Sequence, residues 1–138
     1  MDLAAFIKSN RAHPKRDLKE LWKRIVFNMA ISNTDDHLRN HAFILTAEGW
    51  ELSPLYDVNP VSYGDELSLN VDEQDNTIDI NLAIRTSVRY GISTQEAETY
   101  VQEILTVVRE NWAALAVRYG LTRGQIEAMK PAFAASMI

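Results

Sequence analysis

The chain has 138 residues, enough for one ordinary domain, and its 46% apolar and 24% charged residues exclude a disordered or membrane-embedded protein. Because it has no cysteine, a disulfide framework and a thiolate metal site are excluded, and we expect a cytoplasmic protein. A net charge of -5 argues against direct nucleic-acid binding, and no membrane partner is expected.

The first predicted element is an amphipathic helix from about Arg16 to Ile31, the one helix expected before Asp35. Asp17 near its start suits the positive end of the helix dipole. The polar cluster at 32–36 favours a turn and should end the helix. Its apolar side chains recur at three- and four-residue steps: Leu18, Leu21, Trp22, Ile25 and Met29. We expect its basic residues to form a solvated face: Lys15, Arg16, Lys19, Lys23 and Arg24.

A β-hairpin is predicted next. Its strands are Ala42–Thr46 and Trp50–Ser53, joined by the three-residue connection Ala47–Gly49. Pro54 and Pro60 then interrupt regular structure on either side of Tyr56 and Asp57.

The acidic stretch 61–77 is expected to run over the surface. Its run from Asp72 to Asn76 hints at calcium, but it lacks the glycine at the sixth position of an EF-hand loop. We favour a solvated loop over the alternative, a segment that borders a substrate cleft.

The last third of the chain is predicted to be helical. A short helix should end near Gly91, and a long helix should start at Ser93 or Thr94 and end at Gly120. A final helix runs from Thr122 through Met129 before Pro131. The expected inner face of the long helix comprises Ala97, Val101, Ile104, Leu105, Val108, Trp112 and Leu115. No repeat or linker divides the sequence, so we predict a single domain over residues 1–138, α+β in class and predominantly α-helical.

Four polar side chains flank the predicted hairpin: Asp35, His37, Asn40 and Asp57. Because an antiparallel hairpin returns its exit strand to within about 5 Å of its entry strand, Asn40 and Asp57 should share the open end. Carboxylate and amide oxygens suit Mg²⁺. The interval from Asp35 to Asn40 equals that between the catalytic aspartate and the metal-binding asparagine of protein kinases, whereas Asp36 does not have it. The pattern predicts phosphoryl transfer with Asp35 as the base.

The stretch NTDDHLRN followed by LSPLYD resembles the HipA family of bacterial kinases, the toxins of toxin–antitoxin pairs. The resemblance extends over about residues 18–133 and includes the Leu-Ser-Leu-Asn segment. It implies a kinase-like C-terminal lobe in which Asp35 is the catalytic base and His37 is a structural or phosphate-side residue. Asn40 and Asp57 would bind Mg²⁺ and so hold ATP, while His41 is expected to be structural.

The same resemblance implies the partners. These are a protein substrate with a Ser or Thr hydroxyl, such as an aminoacyl-tRNA synthetase, and a DNA-binding antitoxin. The chain departs from ordinary eukaryotic-type kinases, since it has no His-Arg-Asp and no Asp-Phe-Gly.

A kinase also needs a glycine-rich loop and a lysine that grip the ATP phosphates. The residues before Asp35 contain no glycine and no recognisable strand, so we expect a lobe without its ATP-gripping N-terminal partner, inactive alone. Two alternatives stay open. One is a non-catalytic or split-kinase module that docks a partner protein. The other is a metal-dependent phosphohydrolase or nuclease, which would need more bridging carboxylates.

Overall fold

The structure, a computed structural model, describes residues 3–9, 12–72 and 74–137. Within those residues, helices surround one small antiparallel hairpin, so the predicted α+β, mainly helical class is confirmed. The elements are α1 (Leu3–Ser9), α2 (Pro14–Ile31), β1 (Phe43–Thr46), β2 (Gly49–Leu52), α3 (Ile80–Thr86), α4 (Thr94–Arg118) and α5 (Arg123–Met129). Three 3₁₀ segments supplement them: Leu38–Asn40, Ser87–Tyr90 and Lys130–Met137.

Helix α2 forms the centre of the core, because it packs against α1, α3, α4 and the C-terminal 3₁₀ segment. The side chains of Trp22, Val26 and Met29 on it are fully buried. Pro14 in its first turn has a φ angle preset for a helix, and Ser32 ends it in the left-handed conformation. The predicted helix is confirmed and starts slightly earlier. Helix α1, which the sequence analysis missed, adds its buried residues to the same core.

The basic residues of α2 do not all form the expected solvated face. Arg24 is only 5% exposed, and its guanidinium donates hydrogen bonds to the carbonyl of Ser53 (2.6 Å) and to Glu20 Oε1 (3.0 Å). The prediction is wrong for Arg24 because its partner carbonyl lies on the hairpin, which helical periodicity cannot reveal. Lys15 and Arg16 are exposed, as expected.

The hairpin is present, but its connection has two residues, Ala47 and Glu48, where three were predicted. Gly49 pairs with Thr46 and is the first residue of β2, with a φ of 126° that only glycine adopts easily. The Thr46 hydroxyl stabilises the turn by donating to the Gly49 carbonyl (2.9 Å). A further hydrogen bond from Ser53 N to the Ala42 carbonyl (2.8 Å) extends the pairing toward the open end.

In the last third of the chain, the predicted helix ends near Gly91 and Gly120 and the predicted helix starts at Ser93 and Thr122 are confirmed. Gly91 has a left-handed φ of 73° after the 3₁₀ segment that continues α3. Ser93 and Glu96 form a capping box at the start of α4. Thr122 and Gln125 do the same for α5.

One detail near the C-terminus differs from the prediction, since Leu115, assigned to the inner face of α4, is 46% exposed. The last helix ends at Met129, before Pro131, as predicted, and 3₁₀ turns follow it from Lys130 to Met137. Phe133 in those turns is buried and stacks on Trp112, with ring centroids 4.3 Å apart. None of the described helices combines the length and hydropathy needed to cross a membrane.

Candidate functional site

Asn40 and Asp57 meet at the open end of the hairpin. Asn40 ends the 3₁₀ turn that leads into β1, and Asp57 lies in the irregular segment that follows β2. Asn40 Nδ2 donates to Asp57 Oδ2 at 2.8 Å. A second bond joins the same two segments, from the Tyr56 hydroxyl to the carbonyl of Arg39 (2.8 Å). The structure therefore brings together the two residues that the hairpin argument paired.

Each of the two side chains is held by another bond. The buried Asn40 accepts through Oδ1 from the backbone N–H of His37 (3.1 Å), and Asp57 Oδ1 accepts from Asn59 Nδ2 (3.0 Å). Asp57 is exposed and has a left-handed φ of 54°, which is uncommon for a residue other than glycine and recurs at functional sites. Each bonded oxygen retains a lone pair that these bonds do not use.

Asp35 and His37 lie in the turn between α2 and the 3₁₀ segment Leu38–Asn40. Asp35 is exposed, and its carboxylate makes no hydrogen bond or ion pair to any other described residue. The structure does not place it in contact with Asn40 or Asp57. His37 reaches Asn40 only through its backbone, and its buried Nδ1 has no hydrogen-bond partner in the described part of the chain.

Asp36, adjacent to Asp35, is buried in a network of polar side chains. Its carboxylate accepts from Asn28 Nδ2 (2.8 Å) and contacts His41 Nε2 (2.9 Å). Asn28 in turn accepts from Asn33 Nδ2 (3.1 Å). The contact with Asp36 favours the tautomer of His41 that carries its proton on Nε2. The network fixes the turn to α2, and it agrees with the structural role expected for His41.

Asn28 is a residue that the sequence analysis missed. It is 1% exposed, although it belongs to a helix whose other buried side chains are mainly apolar. A buried amide inside a helix needs polar partners, and both of its partners come from the turn that carries Asp35. An asparagine on the apolar face of α2 was therefore the available signal.

Two buried charged residues of α2 hold the other side of the site. Asp17 Oδ2 accepts from the backbone N–H of Leu52 (2.9 Å), and Arg24 donates to the carbonyl of Ser53. The backbone groups that they bind, the N–H of Leu52 and the carbonyl of Ser53, lie at the end of β2, just before the segment that carries Asp57. Helix α2 thus positions the turn through Asn28 and the hairpin exit through Asp17 and Arg24.

The loop 61–77 borders the turn that carries Asp35. Val61 N donates to the carbonyl of Ser32 (3.2 Å), and Ser68 Oγ donates to that of Thr34 (2.5 Å). Leu67 and Val71 are buried, so the expectation that the stretch 61–77 runs over the surface is wrong for these two apolar residues. The loop is anchored beside the candidate site by contacts distant in sequence.

Two carboxylates of this loop, those of Asp72 and Asp75, are engaged in local turns. Asp72 Oδ1 accepts from the backbone N–H groups of Gln74 and Asp75, both at 2.8 Å. Asp75 Oδ1 accepts from the Thr77 hydroxyl (2.6 Å) and from its backbone N–H (2.9 Å). These bonds, with the Thr77 hydroxyl as the largest cause, lower the pKa of Asp75 below its usual value. Asp72 and Asp75 therefore have structural partners of their own.

Asn40 and Asp57 fit a hard divalent cation. The atoms of the two side chains that can bind a metal are oxygens only, and of the two residues Asp57 is exposed and Asn40 is buried. Mg²⁺ prefers such ligands and binds through one or two of them together with substrate phosphates. The pair offers neither sulfur nor imidazole to a softer metal.

The sequence profile of the HipA-like C-terminal domain matches residues 1–112, which include the candidate site and end within α4. Residues 113–133, which the sequence resemblance included, lie outside this match. A search of curated proteins finds none that matches the chain.

Proposed function

This chain belongs to the HipA-like family, and we propose from that premise that it is the catalytic C-terminal lobe of a Mg²⁺-dependent protein kinase. The reaction is transfer of the γ-phosphate of ATP to a Ser or Thr hydroxyl of a protein. The observation that carries the proposal is the 2.8 Å contact of Asn40 with Asp57, which joins an amide and a carboxylate across the open end of the hairpin.

Each site residue has a distinct role in this proposal. Asn40 and Asp57 hold Mg²⁺, which neutralises charge on the ATP phosphates. Asp35 orients the acceptor hydroxyl and takes its proton. Its exposed carboxylate has no competing partner among the described residues, so it is accessible to a substrate. His37 helps to hold Asn40 through its backbone N–H.

The adjacent Asp36 is a poor candidate for the base. Its carboxylate is buried and already binds Asn28 and His41, so a substrate hydroxyl would have to displace one of them. This burial supports the choice of Asp35 that the spacing to Asn40 suggested.

The partners follow from family membership alone. We propose a protein substrate, an aminoacyl-tRNA synthetase being one example, and a DNA-binding antitoxin that restrains the kinase in a toxin–antitoxin pair. We further propose that the chain needs an ATP-binding N-terminal lobe to turn over, because the only strands among its described residues are those of the hairpin.

The test is the Mg²⁺ dependence of phosphoryl transfer in a protein that joins this lobe to its ATP-binding N-terminal lobe. Asp57→Asn weakens the cation site, so the Mg²⁺ concentration for half-maximal rate should rise and the maximal rate should fall. Glu98→Gln, at an exposed position of α4, is the control with the same change of charge.

Unchanged Mg²⁺ dependence in Asp57→Asn would refute the metal assignment. The alternatives give different results in the same assay. A non-catalytic docking module would show no transfer at any Mg²⁺ concentration. A phosphohydrolase would release inorganic phosphate from ATP without labelling a protein.

A further inference from the structure

A second cluster of metal-ligand side chains lies away from Asn40 and Asp57. His13 precedes the first residue of α2, Glu48 lies in the hairpin turn, and Glu51 lies in β2. One ligand atom from each side chain falls within 4.8 Å of the other two. We propose that these three residues form a binding site for a transition-metal dication of the Zn²⁺ type, which is independent of the proposed kinase function.

The geometry converges on a single nitrogen. His13 Nε2 lies 2.9 Å from Glu48 Oε2 and 2.8 Å from Glu51 Oε1. An imidazole nitrogen carries one proton or one lone pair, so it cannot make a linear hydrogen bond to both carboxylates at once. A cation between the three atoms satisfies all of them, because each contributes a lone pair to it.

The required movement is small. Tetrahedral Zn²⁺ with ligands at about 2.0–2.2 Å separates neighbouring ligand atoms by about 3.4 Å, so each of the two distances from His13 Nε2 to a carboxylate oxygen would lengthen by about half an ångström. Glu48 is 66% exposed and lies on a turn, so its side chain can make that adjustment. Three protein ligands leave one position for water, as in Zn²⁺ sites that exchange a ligand.

The ligand types select the metal. One imidazole and two carboxylates suit Zn²⁺, Co²⁺ and Mn²⁺ better than Mg²⁺, which rarely takes nitrogen. The competing cation is Arg16, whose Nη2 lies 3.5 Å from Glu51 Oε1, a long ion pair at an exposed side chain. A dication that contacts both carboxylates gains more Coulomb attraction than the singly charged guanidinium of Arg16 gains from Glu51 alone.

A metal here would join the start of α2 to the tip of the hairpin. Asp17 and Arg24 already tie the same helix to the end of β2. The metal would add a third connection between the two elements, so binding should stabilise the fold.

The test is calorimetric titration of the 138-residue chain with Zn²⁺ in buffer with excess Mg²⁺, which occupies oxygen-only sites. We expect saturable one-to-one binding and a rise in melting temperature. His13→Ala and Glu48→Gln should each lower the affinity for Zn²⁺ by at least about tenfold, since removal of a residue that only supports a metal ligand already costs that much. Asp57→Asn and Glu98→Gln should leave Zn²⁺ affinity unchanged.

Glu48→Gln changes only an exposed turn side chain, so it answers the question even if His13→Ala fails to fold. Wild-type protein that binds no Zn²⁺ would show that the cluster is an ion-pair cluster only and would overturn the proposal. Zn²⁺ binding of equal affinity in Glu48→Gln would overturn it as well.

Discussion

Asn28 donates a 2.8 Å hydrogen bond to Asp36 and thereby ties the last turn of the central helix to the turn that carries Asp35. The bond lies inside the protein, because Asn28 is fully buried and Asp36 nearly so. Helix packing and the position of the proposed catalytic base are therefore linked through one amide.

Replacement of that amide should destabilise the protein. Asn28→Ala leaves the buried Asp36 carboxylate without one donor and Asn33 Nδ2 without its acceptor, and a lost buried partner costs about 1–3 kcal/mol. Urea unfolding should show a lower midpoint with an unchanged slope. Gln102→Ala, which removes an exposed amide from α4, should change stability by less than about 0.5 kcal/mol. Equal stability of the two variants would mean that the network contributes nothing.

Gly64 provides a second test of how the loop meets this turn. Its φ of 95° disfavours any other residue, and an added Cβ would lie 3.3 Å from the Thr34 side chain, next to Asp35. Gly64→Ala should therefore cost about 1–2 kcal/mol of unfolding free energy. The matched variant is Gly124→Ala in α5, where an added Cβ meets nothing within 4 Å and helix propensity favours alanine by about 1 kcal/mol. Thermal melts that rank the two variants in the opposite order would contradict this packing.

The titration of Asp75 should report the bond from Thr77. The Thr77 hydroxyl and backbone N–H hold the pKa of Asp75 below its ordinary value, so NMR titration should find it low. Thr77→Val removes the hydroxyl and keeps the backbone donor, and the pKa should move up part of the way. Because the folded pKa is the lower one, the contribution to stability is complete above the ordinary pKa. It is lost as pH falls through the folded value. An identical Asp75 titration in both proteins would contradict the assignment.

The helices with regular apolar spacing and explicit caps could be predicted from sequence. Helix α4 follows its period and starts at the Ser93–Glu96 capping box, since both signals are local. Helix α1 has seven residues and buries only Ala4 and Ile7, too few to establish a period. The burial of Arg24 depends on the Ser53 carbonyl, which is distant in sequence, so no local pattern indicates it.

The candidate site was predictable in part, because some of its contacts follow from local connectivity and others depend on residues distant in sequence. The pairing of Asn40 with Asp57 follows from the connectivity of a hairpin, which sequence reveals even when the turn length is misjudged. The buried network of Asn28, Asp36 and His41 depends on how α2 packs behind the turn. The spacing to Asn40 distinguishes Asp35 from Asp36 in the sequence, whereas only the structure shows that Asp36 is buried and Asp35 is exposed.

The assignment of Asp35 as the base is tested most directly by the rate of phosphoryl transfer from ATP to protein after Asp35→Ala, in the lobe joined to its ATP-binding N-terminal lobe. A lost general base should lower the rate by about 10²–10⁴-fold. Because Asp35 is exposed and has no partner among the described residues, the melting temperature should not change. Glu103→Ala, at an exposed position of α4, should retain full activity. A rate in Asp35→Ala within a few-fold of the unmodified protein would contradict the account.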